Sequence, residues 1–183
     1  MALLAPDGAG KTTVIGALEH APWPGGVRSV YMGFPRRANI ASRLARLPGA
    51  ALPVTWLRVA VAGRHRARGR LVLFDRYPYD YLIQPGPPLP WLRRAHRGLL
   101  ARACPRPDLV VVLDAPAAVL AGRRPEHTIE ELERLRRGYL ALAARLPNAI
   151  VVDASGDVAE VSGRILTELG RRSRSLRPPL SKP

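Results

Sequence analysis

Near the start of the chain, Ala5-Pro6-Asp7-Gly8-Ala9-Gly10-Lys11-Thr12-Thr13 has the residue types and spacing needed to wrap a phosphate. Gly8 and Gly10 let the backbone approach an anion closely. Lys11 brings a compact charge on a flexible stem, and the hydroxyl of Thr12 is placed to ligate magnesium. The chain has 29 Lys and Arg residues, yet only Lys11 and Lys182 are lysines, so a single lysine stands outside the last few residues. A planar guanidinium does not fit where a compact ammonium does. The stretch departs from G-x-x-x-x-G-K-S/T at the first glycine, which is Ala5 here. The bland alternative is a Gly-Lys-Thr turn that only starts a helix. Position favours the phosphate loop: apolar Met1 to Leu4 precede it, and the helical pattern Thr12-Thr13-Val14-Ile15-Gly16-Ala17-Leu18 follows. Phosphates would then rest on backbone N–H groups at a helix N-terminus.

A second cluster is Asp75-Arg76-Tyr77, at the end of the apolar run Leu71-Val72-Leu73-Phe74. A carboxylate there can hold magnesium opposite the Thr12 hydroxyl, usually through water. The other reading of Asp75 is a turn residue that ends a strand. Arg76 beside it argues for a site, because a guanidinium fork pairs bidentately with phosphate oxygens. Asp114 ends another apolar run and reads equally as a site carboxylate or as the cap of the next helix. Arg123 and Arg124 lie in a short loop before Pro125-Glu126-His127. A basic loop closing over a transferring phosphoryl group would stabilise its charge, while the alternative is a solvated pair. His127, beside a helix cap, reads as structural. Tyr79, Tyr81 and Gln84 are weak candidates for lining an acceptor pocket.

At 183 residues the chain is most simply one domain able to bury about 70% of its unfolded surface. The formal charge of +15 suggests nucleic acid, but the arginines are scattered and aromatics make up only 5%, which leaves few stacking platforms. A positive field of this kind draws in polyanionic nucleotides all the same. Cys104 is alone, so no intrachain disulfide forms and no zinc cluster is indicated. No apolar run approaches the ~18 residues that span a bilayer, and Pro6 and Asp7 interrupt any signal-peptide core. A cytoplasmic enzyme is the simplest expectation.

Apolar, β-branched runs alternate with helical patterns. The spacing predicts strands at Met1–Leu4, Val27–Met32, Leu71–Asp75, Leu109–Asp114 and Ala149–Val152. It predicts helices over 11–20, 39–47, 53–68, about 91–103, 116–122 and 157–170. Another helix starts at Thr128, where Thr128-Ile129-Glu130-Glu131 forms a capping box. Its apolar face is Leu132, Leu135, Tyr139, Leu142 and Leu146. A proline-rich loop covers Pro85 to Pro90. The expected division is one domain over 1–170, a short lid at about 122–128, and a basic, disordered tail over 171–183. Alternating strands and helices imply an α/β fold with a parallel sheet between helical layers. Ligands bind beyond the carboxyl ends of such strands, where the phosphate loop, Asp75 and Asp114 would meet.

Taken in order, Asp7-Gly8-Ala9-Gly10-Lys11-Thr12-Thr13, Asp75-Arg76-Tyr77 and Pro107-Asp108-Leu109 leading to Leu113-Asp114 resemble the thymidylate kinase family, in a divergent branch. The likeness extends to Leu135-Arg136-Arg137-Gly138-Tyr139-Leu140-Ala141-Leu142-Ala143 and Val152-Asp153-Ala154-Ser155, covering nearly the whole chain. The resemblance implies the three-layer P-loop NTPase fold with a five-stranded parallel sheet. It implies ATP and Mg2+, and transfer of the γ-phosphoryl group to a nucleoside monophosphate. It places Lys11 on the β- and γ-phosphates, Thr12 on magnesium, Asp75 in a metal or acceptor role, Arg76 on the acceptor phosphate and Asp7 near the acceptor sugar. Gly8 stands where some members carry an arginine. Members without it have basic lid residues, which matches Arg123 and Arg124. Members usually have Glu-Gly where this chain has Leu4-Ala5.

The expected activity is phosphoryl transfer from ATP to a nucleoside monophosphate, with thymidylate (dTMP) as leading acceptor and dTDP as product. The catalytic set would be Lys11, Asp75, Arg76 and Arg123. The donor would be held by Asp7, Gly8, Ala9, Gly10, Lys11, Thr12, Thr13 and Arg124, and the metal by Thr12 and Asp75. One alternative keeps the ATP site and takes a nucleoside or other small hydroxyl acceptor. Another is a nucleotide- or nucleic-acid-binding module without transfer. Small nucleotides are the expected partners, without nucleic acid or membrane, and a homodimer is left open.

Overall fold

Strands buried on both faces must be apolar throughout, and the centre of this fold is built from such runs. The computed structural model describes residues 1–33, 51–83 and 91–175. Its strands are β1 (Ala2–Leu4), β2 (Val27–Tyr31), β3 (Leu71–Asp75), β4 (Val110–Asp114) and β5 (Ala149–Asp153). They form one parallel sheet in the order β2-β3-β1-β4-β5. Ala2, Leu3 and Leu4 of the central strand are wholly buried, as are Val110 to Leu113 beside them.

The helices are α1 (Lys11–Glu19), α2 (Ala51–Ala67), α3 (Trp91–Ala103), α4 (Ala117–Arg123), α5 (Ile129–Ala143) and α6 (Val158–Ser175), with a 3₁₀ turn over Pro78–Leu82. They flank the sheet, α1 packing on α6, α2 on α3 and α4 on α5. None of the described helices is long and apolar enough to cross a membrane.

Local chemistry explains several boundaries. Thr128 caps α5 by accepting from the Glu131 N–H, and the Glu131 carboxylate accepts from the Thr128 N–H, each at 3.2 Å. Leu132, Leu135 and Tyr139 are buried along its inner face, and Leu142 and Leu146 pack against the core edge. On α2 the inward residues are Thr55, Val59 and Ala62, whereas Leu57 and Val61 are exposed. The last helix runs five residues past the boundary expected at 170. Glu168 pairs there with Arg171 and Arg172 at helical spacing, which sustains the extra turn. The helix expected over 39–47, the loop with Gln84 and Pro85 to Pro90, and residues 176–183 lie outside the described residues.

The register sets the site. Asp75 closes β3 level with Leu3 of β1 and Tyr31 of β2. The loop after β1 therefore starts beside the carboxylate that ends β3.

Candidate active site

The loop after β1 turns through Gly8 and Gly10, at φ +89° and +75°. A side chain at Gly8 would also meet the Leu120 carbonyl of α4 at 2.8 Å. Gly10 precedes α1, and no side chain caps that helix, so its first N–H groups stay available to an anion. Ala5, at the position of the consensus glycine, is buried in the core. Lys11 opens the helix, and its Nζ lies 3.9 Å from Oδ1 of Asp75. That oxygen is buried and has no hydrogen-bond partner among the described residues.

Arg76, next in the chain, has φ 63°, the single non-glycine residue with positive φ among those described. L-residues avoid this region, and such strain is tolerated where the surroundings hold it. The turn brings its guanidinium within 3.6 Å of Oδ1 of Asp7. Tyr77 anchors the turn from below: its ring is buried against Phe74 and Tyr79, and its hydroxyl donates to the Pro105 carbonyl. Tyr79 thus belongs to the core rather than to an acceptor pocket. Tyr81 stays near the site, its pKa pushed up to about 12 by burial and then by the Asp80 charge.

Asp80 and Tyr139 form a buried pair near these residues that sequence reasoning missed. Asp80 sits in the 3₁₀ turn, only 4% exposed. Its Oδ1 accepts from the Tyr139 hydroxyl at 2.8 Å, and its Oδ2 is buried without a hydrogen-bond partner among the described residues. Gly138 lets α5 pack closely here: a Cβ there would lie 2.6 Å from an Ile83 methyl group, which would have to shift. The one hint in the sequence was a carboxylate set among Tyr77, Pro78, Tyr79, Tyr81 and Leu82.

Each of these groups feels the charge of the others. Burial lowers the Lys11 pKa, and Asp80 is the strongest charge opposing the shift. Burial also works against the Arg76 cation, but Asp80 and then Asp7 outweigh it and raise its pKa. Burial raises the Asp80 pKa, with Lys11, the Tyr139 hydrogen bond and Arg76 pulling the other way. Tyr139 is raised by burial and by Asp80.

On the other side of the loop, Arg123 at the end of α4 donates to the carbonyls of Gly8 at 3.5 Å, Ala154 at 3.2 Å and Ser155 at 3.4 Å. It ties the phosphate loop to the turn after β5. Arg124 pairs with Glu126 at 3.3 Å, more than half exposed. His127 lies 3.9 Å from Asp7 and 3.7 Å from Glu131, which brings it to the edge of the acidic and basic cluster. Asp114 neither caps α4 nor joins the cluster, since both its oxygens pair with Arg136, at 2.7 and 2.9 Å. A cleft of about 270 Å³ opens beside the loop, lined by Ala9, Gly10, Thr13, Arg123, Ala154 and Val158. A larger cavity, about 770 Å³, lies at the amino-terminal ends of β1, β3 and β4, away from the loop.

No protein-family model matches the chain. It is similar to the thymidylate kinase of Desulforudis audaxviator, 31% identical over 87% of this chain and 84% of that protein. The thymidylate kinase of Pelotomaculum thermopropionicum is likewise 31% identical, over 81% of this chain and 82% of its own length. For the thymidylate kinase of Geobacter sulfurreducens the figures are 28%, 89% and 92%. With a five-stranded parallel sheet whose loop after β1 faces Asp75, the chain belongs to the thymidylate kinase family.

Proposed function

We propose that the protein is an ATP-dependent phosphotransferase that moves the γ-phosphoryl group to a nucleoside monophosphate, with thymidylate as the acceptor. One observation carries this reading: Lys11 at the head of α1 faces Asp75, while the next residue, Arg76, is turned to Asp7. A donor-side cation, a metal-side carboxylate and an acceptor-side guanidinium are thereby gathered at one strand end.

Each group then has a task. The amides from Gly8 to Thr13 and the Lys11 amine hold the β- and γ-phosphates. The cleft beside Thr13 and Val158 takes the base of the donor. Arg76 grips the acceptor phosphate with two parallel hydrogen bonds, and Asp7 accepts from an acceptor hydroxyl. Arg123 moves its guanidinium from the Gly8 carbonyl to the transferring group.

The residues also fit magnesium. The orphaned Asp75 oxygen suits a hydrated ion carried on the donor phosphates, with the Thr12 hydroxyl as second ligand. Among the described residues no cluster of three or more His, Cys, Asp or Glu side chains forms a protein cage, consistent with an ion held mostly by water and phosphate. When bound, the ion would neutralise charge on the β- and γ-oxygens. There is little covalent chemistry for the chain itself to do, so its contribution is alignment and charge stabilisation.

A second reading draws on the carboxylates Asp7 and Asp75, which lie against Arg76 and Lys11, and on the nearby buried Asp80. So much negative charge suits a neutral hydroxyl acceptor better than a phosphate dianion. Transfer assays with thymidylate and thymidine side by side separate the two: activity on thymidylate alone supports the first reading, and activity on thymidine alone supports the second.

A further inference from the structure

We propose that the cavity at the amino-terminal ends of β1, β3 and β4 is a second ligand site, one that takes an amphipathic organic anion. The ligand would be an apolar body carrying one carboxylate or phosphate group. The volume, about 770 Å³, suits a small molecule. Met1, Val72, Phe74 and Leu109 line it, with Ala62 from α2 and Leu169 from α6. Several carbonyls of its wall are already engaged: Val72 accepts from the Met1 nitrogen, Pro105 from the Tyr77 hydroxyl and Pro107 from the Asn148 amide. A sugar entering this space would give up hydrogen bonds to water for few in return. The charged groups are mostly of one sign. Among the described residues, Arg66, Arg70, Arg106 and Arg172 line the cavity with a single carboxylate, Asp108. Asp108 pairs with Arg66 at 3.2 Å, and Arg172 shares Glu168 with Arg171. Arg70 donates to Nδ1 of His65 at 3.1 Å. Desolvation and then the Arg70 charge lower the His65 pKa, so that partner is a neutral imidazole. Arg106 has no ion pair among the described residues. Two guanidiniums thus lack a counter-charge beside an apolar space, which a carboxylate or phosphate on an apolar stem complements. The site lies at the opposite ends of the strands from the phosphate loop, and it stands whichever acceptor that loop serves.

The test is calorimetry of the full chain with octanoate as the probe, beside 1-octanol and acetate. Octanoate should bind with a Kd below about 1 mM. The alcohol has the body without the charge and acetate the charge without the body, so each should bind at least about tenfold more weakly. Two variants locate the binding. Gly63 lines the cavity, and a Cβ there would meet nothing within 4 Å, so Gly63→Leu fills space without displacing the wall. It should weaken octanoate at least about tenfold, which binding at the phosphate loop would not show. Arg106→Glu, with no ion pair among the described residues to lose, should weaken octanoate about fivefold. This variant decides the matter if Gly63→Leu does not fold. Absence of octanoate binding, equal binding of 1-octanol or acetate, or wild-type octanoate affinity in either folded variant overturns the proposal.

Discussion

The amine of Lys11 lies 3.9 Å from the Asp75 carboxylate, joining the loop after the central strand to the end of its neighbour β3. Neither residue is close to the other in the chain. The contact exists because a parallel sheet aligns the carboxyl ends of β1 and β3, and because Gly8 and Gly10 turn the loop back over that edge.

Replacing Lys11 with Ala removes the donor-side cation. Turnover should fall by about 10²- to 10³-fold with the far-ultraviolet circular dichroism spectrum retained. Turnover near wild type in a folded Lys11→Ala protein would disconnect the loop from the chemistry.

Arg76 occupies a backbone region that glycine adopts freely. Arg76→Gly should relieve about 1 kcal/mol of strain while removing the guanidinium from the acceptor. The strain relieved is offset by the lost pairing with Asp7 and by the freer unfolded chain, so the expected result is a thermal midpoint close to wild type, with the KM for the acceptor raised on the order of 100-fold. A lower midpoint with an unchanged KM would make Arg76 a structural residue.

The Asp114–Arg136 pair is doubly hydrogen-bonded and mostly buried, yet it stands apart from the cleft cluster. Asp114→Ala should cost about 1 to 3 kcal/mol of stability and leave kcat unchanged. Denaturant unfolding beside steady-state kinetics checks both halves, and a large loss of kcat would return Asp114 to the site.

Much of the architecture was legible in the sequence because β1, β3 and β4 are covered on both faces and α5 starts with a complete capping box. These are local signals, carried by runs of apolar residues and by one four-residue motif. The Lys11 and Asp75-Arg76 halves of the site were legible for a similar reason, since each sits where an apolar run ends. What stayed hidden depends on contacts between distant segments. Asp80 meets Tyr139 across 59 residues, where α5 packs on the 3₁₀ turn with Gly138 close to Ile83. Asp114 read equally as a cap or a site carboxylate, because nothing local announces a partner 22 residues onward in Arg136. Tyr79 looked like a pocket residue because its burial against Tyr77 follows from the 3₁₀ turn, not from any periodic pattern.

The turn after β5 carries two of the carbonyls that hold Arg123, and Asp153 shapes it by accepting from the Ser155 N–H at 2.8 Å. Hydrogen bonds from the Ser155 side chain and backbone hold the Asp153 pKa below its ordinary 3.8. A depressed carboxylate contributes stability above the unfolded-state value and loses it as pH falls through the folded-state value. The stability difference between wild type and Asp153→Ala should therefore be full at neutral pH and shrink below about pH 3.8. A difference that stays constant into strong acid would show that the carboxylate charge plays no part.

The most direct test of the whole account is ATP consumption with magnesium across a panel of nucleoside monophosphates, nucleosides and sugars. The account predicts ADP release that depends on a nucleoside monophosphate, greatest with thymidylate, and matched by formation of the corresponding diphosphate. Absence of acceptor-dependent ADP release with every monophosphate, from a protein that is folded and binds ATP, would contradict it.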